Sequence, residues 1–190
     1  MTNSQDRKTI EALRRPLIDV VGEIDAERYG SFRQQLEDLD GSADPFAVAL
    51  TTSGGDAEYA RRIALDLEIA RESREGHVIG HSYVYSAGVS IMASFPKEHR
   101  WLSRDCILLI HERRMEKEIK LEGPIRGSLQ RVEELKSQFQ LGLTLEEEVF
   151  AQLVAGSDLT LNECKKKAKK NWYVRAHEAL DLGIIAGVLR

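Results

Sequence analysis

In the first half of the chain, short continuous apolar runs alternate with stretches whose apolar positions fall three or four apart. The runs LIDVVG (Leu17–Gly22), FAVALTT (Phe46–Thr52) and GHVIGHSYV (Gly76–Val84) are rich in β-branched residues and predict buried strands. Between them, DAERYGSFRQQLEDLD (Asp25–Asp40) and AEYARRIALDLEIARES (Ala57–Ser73) predict amphipathic helices, the first opened by an aspartate. GSADP and SGGD punctuate the pattern as a loop and a tight turn. A further helix, SAGVSIMAS, begins at Ser86, and EHRWLSR and CILLIHE then read as a hairpin-like strand pair. Strand–helix–strand repetition of this kind predicts an α/β fold with a largely parallel sheet. Its carboxyl edge, where open α/β sheets hold their ligands, carries the turns after the second and third strands.

The second half is more helical. From Glu116 to about Leu153 the chain is heavily charged, and Ile125, Leu129, Val132, Leu135 and Phe139 make one apolar face. A helix of that length leaves little domain to pack on, so it predicts a protruding element that meets another subunit. The alternative is a helix folded back on its own sheet. TLNE (Thr160–Glu163) is a capping box. The KKKAKK run (Lys165–Lys170) reads as a solvated helix face, AHEALDLG as a short helix ending at Gly183, and IIAGVL as a returning strand.

Composition narrows the function class. With 190 residues the chain has room for one well-buried domain. A net charge of −4 gives no footing to nucleic-acid binding. No run approaches the ~20 apolar residues that span a bilayer. The polar start MTNSQDRKTIEALRR has no signal-peptide core, which points to a cytoplasmic protein. Cys106 and Cys164 lack metal-ligand spacing; Cys106, in CILLI, reads as a small buried strand residue. No metal site and no cofactor are expected.

Three features at the predicted carboxyl edge carry chemistry. Gly54 and Gly55 follow a strand and let backbone amides approach a substrate closely. Ser86 stands at a strand-to-helix join, either as a helix cap or as a nucleophile needing a base. His111 closes an apolar strand, where an imidazole is either structural or that base.

The ordered series SGGD, YSAG, LLIH and HEALDLGII resembles the proteolytic subunit of the Clp protease over about Arg15 to Gly187. The resemblance implies a crotonase-like α/β fold in a single peptidase domain, residues 15–190, preceded by a short polar segment, residues 1–14. It implies a serine peptidase with Ser86 as nucleophile, His111 as general base, and the amides of Gly55 and Ala87 as oxyanion donors. It further implies stacked homo-oligomeric rings built through a protruding handle helix, a peptide or unfolded-protein substrate, and an ATP-driven unfoldase as a partner. The family's triad aspartate falls on Asn171, so the triad becomes Ser86–His111–Asn171, with Asp158 or Asp181 as alternative third members. Asparagine accepts an imidazole N–H but does not neutralise the imidazolium; among serine proteases that exchange costs about 10⁴ in kcat.

Other departures are the missing proline before Gly54–Gly55, the extra charge of Asp56, and Tyr83 and Tyr85, which are placed to narrow a substrate groove. GPIRG (Gly123–Gly127) stands where a glycine-rich peptide-binding strand is expected, and the short N-terminal stretch puts the unfoldase partnership in doubt. Two other readings stay open: a catalytically weak or inactive ring subunit with a structural or regulatory role, and a crotonase-fold enzyme acting on acyl-CoA thioesters.

Overall fold

A computed structural model describes residues 4–39 and 44–189. Strands β1 (Ile18–Ile24), β2 (Phe46–Gly55) and β3 (Gly76–Tyr85) are joined by helices α2 (Ala26–Glu37) and α3 (Ala57–Arg71), after an N-terminal helix α1 (Ser4–Arg14). The expected helix end at Asp40 and the first residues of the GSADP loop lie outside the described residues. Helix α4 (Ala87–Ala93) leads through a 3-10 turn to β4 (Arg100–Ser103) and β5 (Ile107–Ile110). Then come α5 (Ile125–Val154), α6 (Leu161–Ala168), β6 (Trp172–Arg175), α7 (Ala176–Asp181) and β7 (Gly187–Leu189).

One seven-stranded sheet runs in the order β1-β2-β3-β4-β7, with β5 on β3 and β6 on β5. All pairings are parallel except β5 with β6. The strand period of two divides the sheet between two cores. Val48, Leu50 and Val78 face the main core with Phe32, Ile63, Leu67, Ile91 and Met92 of α2, α3 and α4. Ala47, Ala49 and Ile79 face the other way, against Leu13 and Ile10 of α1. The small residues of β2 on that side let α1 sit close.

The hairpin-like pair is a correction. β4 and β5 do not pair with each other; both add in parallel to β3, β4 along Val78–Gly80 and β5 along Tyr83–Tyr85. The β2–β3 register jumps between Leu50↔Gly80 and Thr52↔Val84, and Ser82 takes φ 53°. This irregularity divides β3 into two halves with different partners.

GPIRG is a second correction. Pro124 is the N-cap of α5 and Gly127 lies inside the helix, while residues 112–122 form neither helix nor strand. A proline beside the first helical turn suits a start, where backbone amides have no intrahelical acceptor. α5 spans 30 residues, about 45 Å at 1.5 Å per residue. Its buried residues are Gly142, Phe150, Leu153 and Val154, all in the C-terminal half. Ile125 is 80% exposed and Leu129 61%, so the N-terminal half stands clear of the body.

Candidate active site

Ser86 follows β3 directly and is the N-cap residue of α4. Its side chain makes no capping hydrogen bond, so the hydroxyl is not spent on the helix. The backbone is at φ 55°, ψ −118°, a conformation an ordinary side chain rarely adopts. The turn is held by Ser86 N–H donating to Leu109 O (2.9 Å), which clamps it to β5.

Gly54 and Gly55 are needed for space. A Cβ on Gly54 would lie 2.7 Å from Ser86 Cβ, and one on Gly55 2.3 Å from Ile24 O. The β2 turn therefore packs against the Ser86 turn on one side and against β1 on the other. Gly54 N–H donates to Thr52 Oγ1 (3.0 Å) and Asp56 N–H to Ile24 O (2.7 Å), so the Gly55 amide lies between two amides that already have partners. Asp56 is the N-cap of α3, its carboxylate accepting from Glu58 N–H and Tyr59 N–H. Its charge is thus committed to the positive end of that helix.

His111 ends the β5 segment. Its Nδ1 lies 2.6 Å from Glu112 O. A carbonyl only accepts, so Nδ1 carries the hydrogen and Nε2 keeps the lone pair. That is the tautomer a general base needs, and here a backbone carbonyl selects it rather than Asn171. Asn171 sits in the turn between α6 and β6 at φ 53°, a left-handed position asparagine tolerates, with its N–H donating to Ala168 O.

Ser86, Ala87, Gly55, His111 and Asn171 all line one open cavity of about 500 Å³. Leu109, Val149 and Phe150 add apolar wall; Arg113, Arg114 and Glu146 add charge. Ala87 opens α4, and first-turn amides point their hydrogens away from the helix. Two carboxylates tie the Arg113 segment down: Glu58 on α3 pairs with the guanidinium, and Glu146 on α5 accepts from the Arg113 backbone N–H. Partial burial pushes the Glu58 carboxyl up, but hydrogen bonds and charge from Arg113 and Arg61 outweigh it and hold it below its ordinary 4.5. These ties were not readable from the sequence, because Glu58 and Arg113 are 55 positions apart on unpaired elements.

Tyr83 and Tyr85 do not line this cavity; Tyr173 does, with Tyr85 packed edge-on against it at 5.9 Å. Asp158 and Asp181 also lie outside its lining, Asp158 in the turn after α5 and Asp181 at the end of α7. Cys106 and Cys164 are buried, which pushes their thiols up to about 12 and about 11 and leaves them poor nucleophiles.

A family model described as Clp protease matches residues 3–190. No curated protein sequence matches the chain. Among solved structures, an asparagine-to-aspartate mutant of ClpP1 from Listeria monocytogenes superposes with a TM-score of 0.73 at 20% identity, over 97% of this chain and 95% of that one. At that identity the likeness speaks for the fold, which is crotonase-like.

Proposed function

This chain belongs to the Clp protease family, and from that premise we propose that it is a serine endopeptidase that cuts peptide bonds through an acyl-enzyme at Ser86. The observation that supports this most is the Ser86 turn itself. It has a strained backbone, a hydroxyl not used as a cap, and a place on the same cavity wall as His111, Gly55 and Ala87.

In the proposed reaction, His111 Nε2 takes the Ser86 proton as Oγ attacks the peptide carbonyl. The oxygen that gains charge is met by the Gly55 and Ala87 amides, the second at the positive end of α4. The C–N bond breaks as His111 returns the proton to the leaving amine. Water, activated by the same imidazole, then releases the acyl group. Asn171, on the same cavity wall, is the third member of the triad, and its amide does not neutralise the imidazolium. The apolar wall of Leu109, Val149 and Phe150 favours an apolar side chain beside the cut bond.

The protein would work in the cytoplasm as stacked homo-oligomeric rings, with the exposed apolar half of α5 as the contact. An ATP-driven unfoldase would supply unfolded chains. Among the described residues no helix is long and apolar enough to cross a membrane.

The test is covalent labelling of the assembled protein with a fluorophosphonate, followed by peptide mapping. One label on Ser86, lost in Ser86→Ala together with cleavage of a chromogenic peptide ester, is the expected result. An assembled protein that takes no label would be an inactive ring subunit, and the peptidase reading would fail.

A further inference from the structure

Far from the cavity, at the opposite end of β3, a second cluster carries different chemistry. Glu75 and His77 are two positions apart at the start of the strand, so their side chains fall on one face. Val78 is opposite Arg100 in the parallel β3–β4 register, which sets the preceding residues, His77 and His99, side by side. Their rings are 4.6 Å apart. One ligand atom from each of Glu75, His77 and His99 lies within 4.8 Å of the other two.

We propose that Glu75, His77 and His99 bind a divalent transition-metal ion of the zinc class. Two imidazoles and a carboxylate are a donor set for such an ion, with water completing four-coordination. His77 Nε2 and Glu75 Oε1 are already 3.1 Å apart, close to the ~3.3 Å edge of a tetrahedron with metal–ligand bonds near 2.0 Å. His99 Nδ1 is 2.8 Å from Gly76 O and must be the donor, which leaves Nε2 with its lone pair. Such a carbonyl-held imidazole is how metal-binding histidines are oriented.

His77 supplies the independent observation. It is 3% exposed, and its Nδ1 is a buried polar atom with no hydrogen-bond partner. A buried imidazole left partly unsatisfied beside a second imidazole is unfavourable as a bare group. Glu75 and His99 are half-buried, which gives an ion a route from solvent.

The eight residue-to-residue steps from His77 to Tyr85 correspond to roughly 26 Å of extended chain, too far for this ion to reach Ser86. Its role is structural. Thr9 Oγ1 of α1 lies 3.5 Å from His77 Nε2, so an ion there braces the sheet edge beneath the N-terminal helix.

The experiment uses the untagged full chain, freed of metal with a chelator and titrated calorimetrically with zinc chloride. A parallel cobalt titration is read by visible absorption. One ion per chain is expected, with no binding of magnesium. His99→Ala and Glu75→Gln should each weaken zinc binding by at least about tenfold, while His111→Ala leaves it unchanged. His77 stays intact in this series because removing a buried ring threatens the fold. Absence of zinc binding at micromolar concentrations would overturn the proposal. So would binding that survives both variants, or binding that disappears with His111→Ala.

Discussion

A serine held at φ 55°, ψ −118° carries about 1–3 kcal/mol of local strain. The turn is held by the Leu109 carbonyl on one side and by the close approach of Gly54 on the other. Ser86 and His111 were legible in the sequence because each closes a strongly patterned strand and so marks the sheet's carboxyl edge. The Glu112 carbonyl was not legible: every residue has one, and only the bend after β5 aims this one at Nδ1. That bond changes the expectation for Asn171. Where an aspartate both fixes the tautomer and faces the imidazolium, losing it costs about 10⁴ in kcat, roughly 5.5 kcal/mol. Here the tautomer is held without Asn171, leaving the electrostatic part to gain. Asn171→Asp should therefore raise kcat on a peptide ester by about tenfold to a hundredfold, well short of 10⁴. A gain near 10⁴ would mean that His111 leaves Glu112 and depends on residue 171 in the working enzyme.

At the scale of elements, α5 is the clearest case of a helix whose apolar stripe stays exposed among the described residues. Ile125, Leu129, Val132 and Phe139 follow the helical period, and all four are exposed. The charged residues around them keep the stripe soluble in the protomer but leave apolar area that association would bury. Replacing Leu129 and Val132 together by lysine should abolish the proposed ring assembly while leaving the protomer folded, because neither side chain is in its core. Light scattering for mass and circular dichroism for helix content are the measurements. An unchanged mass would remove α5 from the interface. The hairpin expected of EHRWLSR and CILLIHE shows where sequence reading stops. Both segments have strand patterning, but partner choice was set by the irregularity at Ser82, which gives each segment its own half of β3.

For the whole molecule, Arg100 joins parts the sequence keeps far apart. It is 2% exposed and, among the described residues, has no carboxylate partner within hydrogen-bonding reach. Its Nε donates to Phe95 O, Nη1 to Leu153 O, and Nη2 to Ala93 O and Gln152 O, at 2.7 to 3.0 Å. It thus collects carbonyls from the ends of α4 and α5, where helices concentrate negative partial charge. Burial lowers its pKa to about 10, still a cation at neutral pH. Arg100→Met strands several buried carbonyls at once and should lower the unfolding free energy by about 3–5 kcal/mol. A urea melt reads this directly, and a loss under 1 kcal/mol would show that water or a local shift replaces the guanidinium. Lysine is a poor substitute because a single ammonium cannot present that planar fork.

By itself the sequence determined the alternation of buried strands and amphipathic helices, the capping box at Thr160, the apolar stripe of α5, and the order of glycine pair, serine and histidine along the chain. These depend on periodicity and on residue chemistry, which are local. Tertiary structure alone decided which strand half pairs with which, that Glu112 rather than Asn171 holds the imidazole, that Arg100 gathers two helix ends, and that Glu75, His77 and His99 meet. Each of those depends on backbone direction and on contacts between distant positions, and the packing of the sheet and its helices sets both.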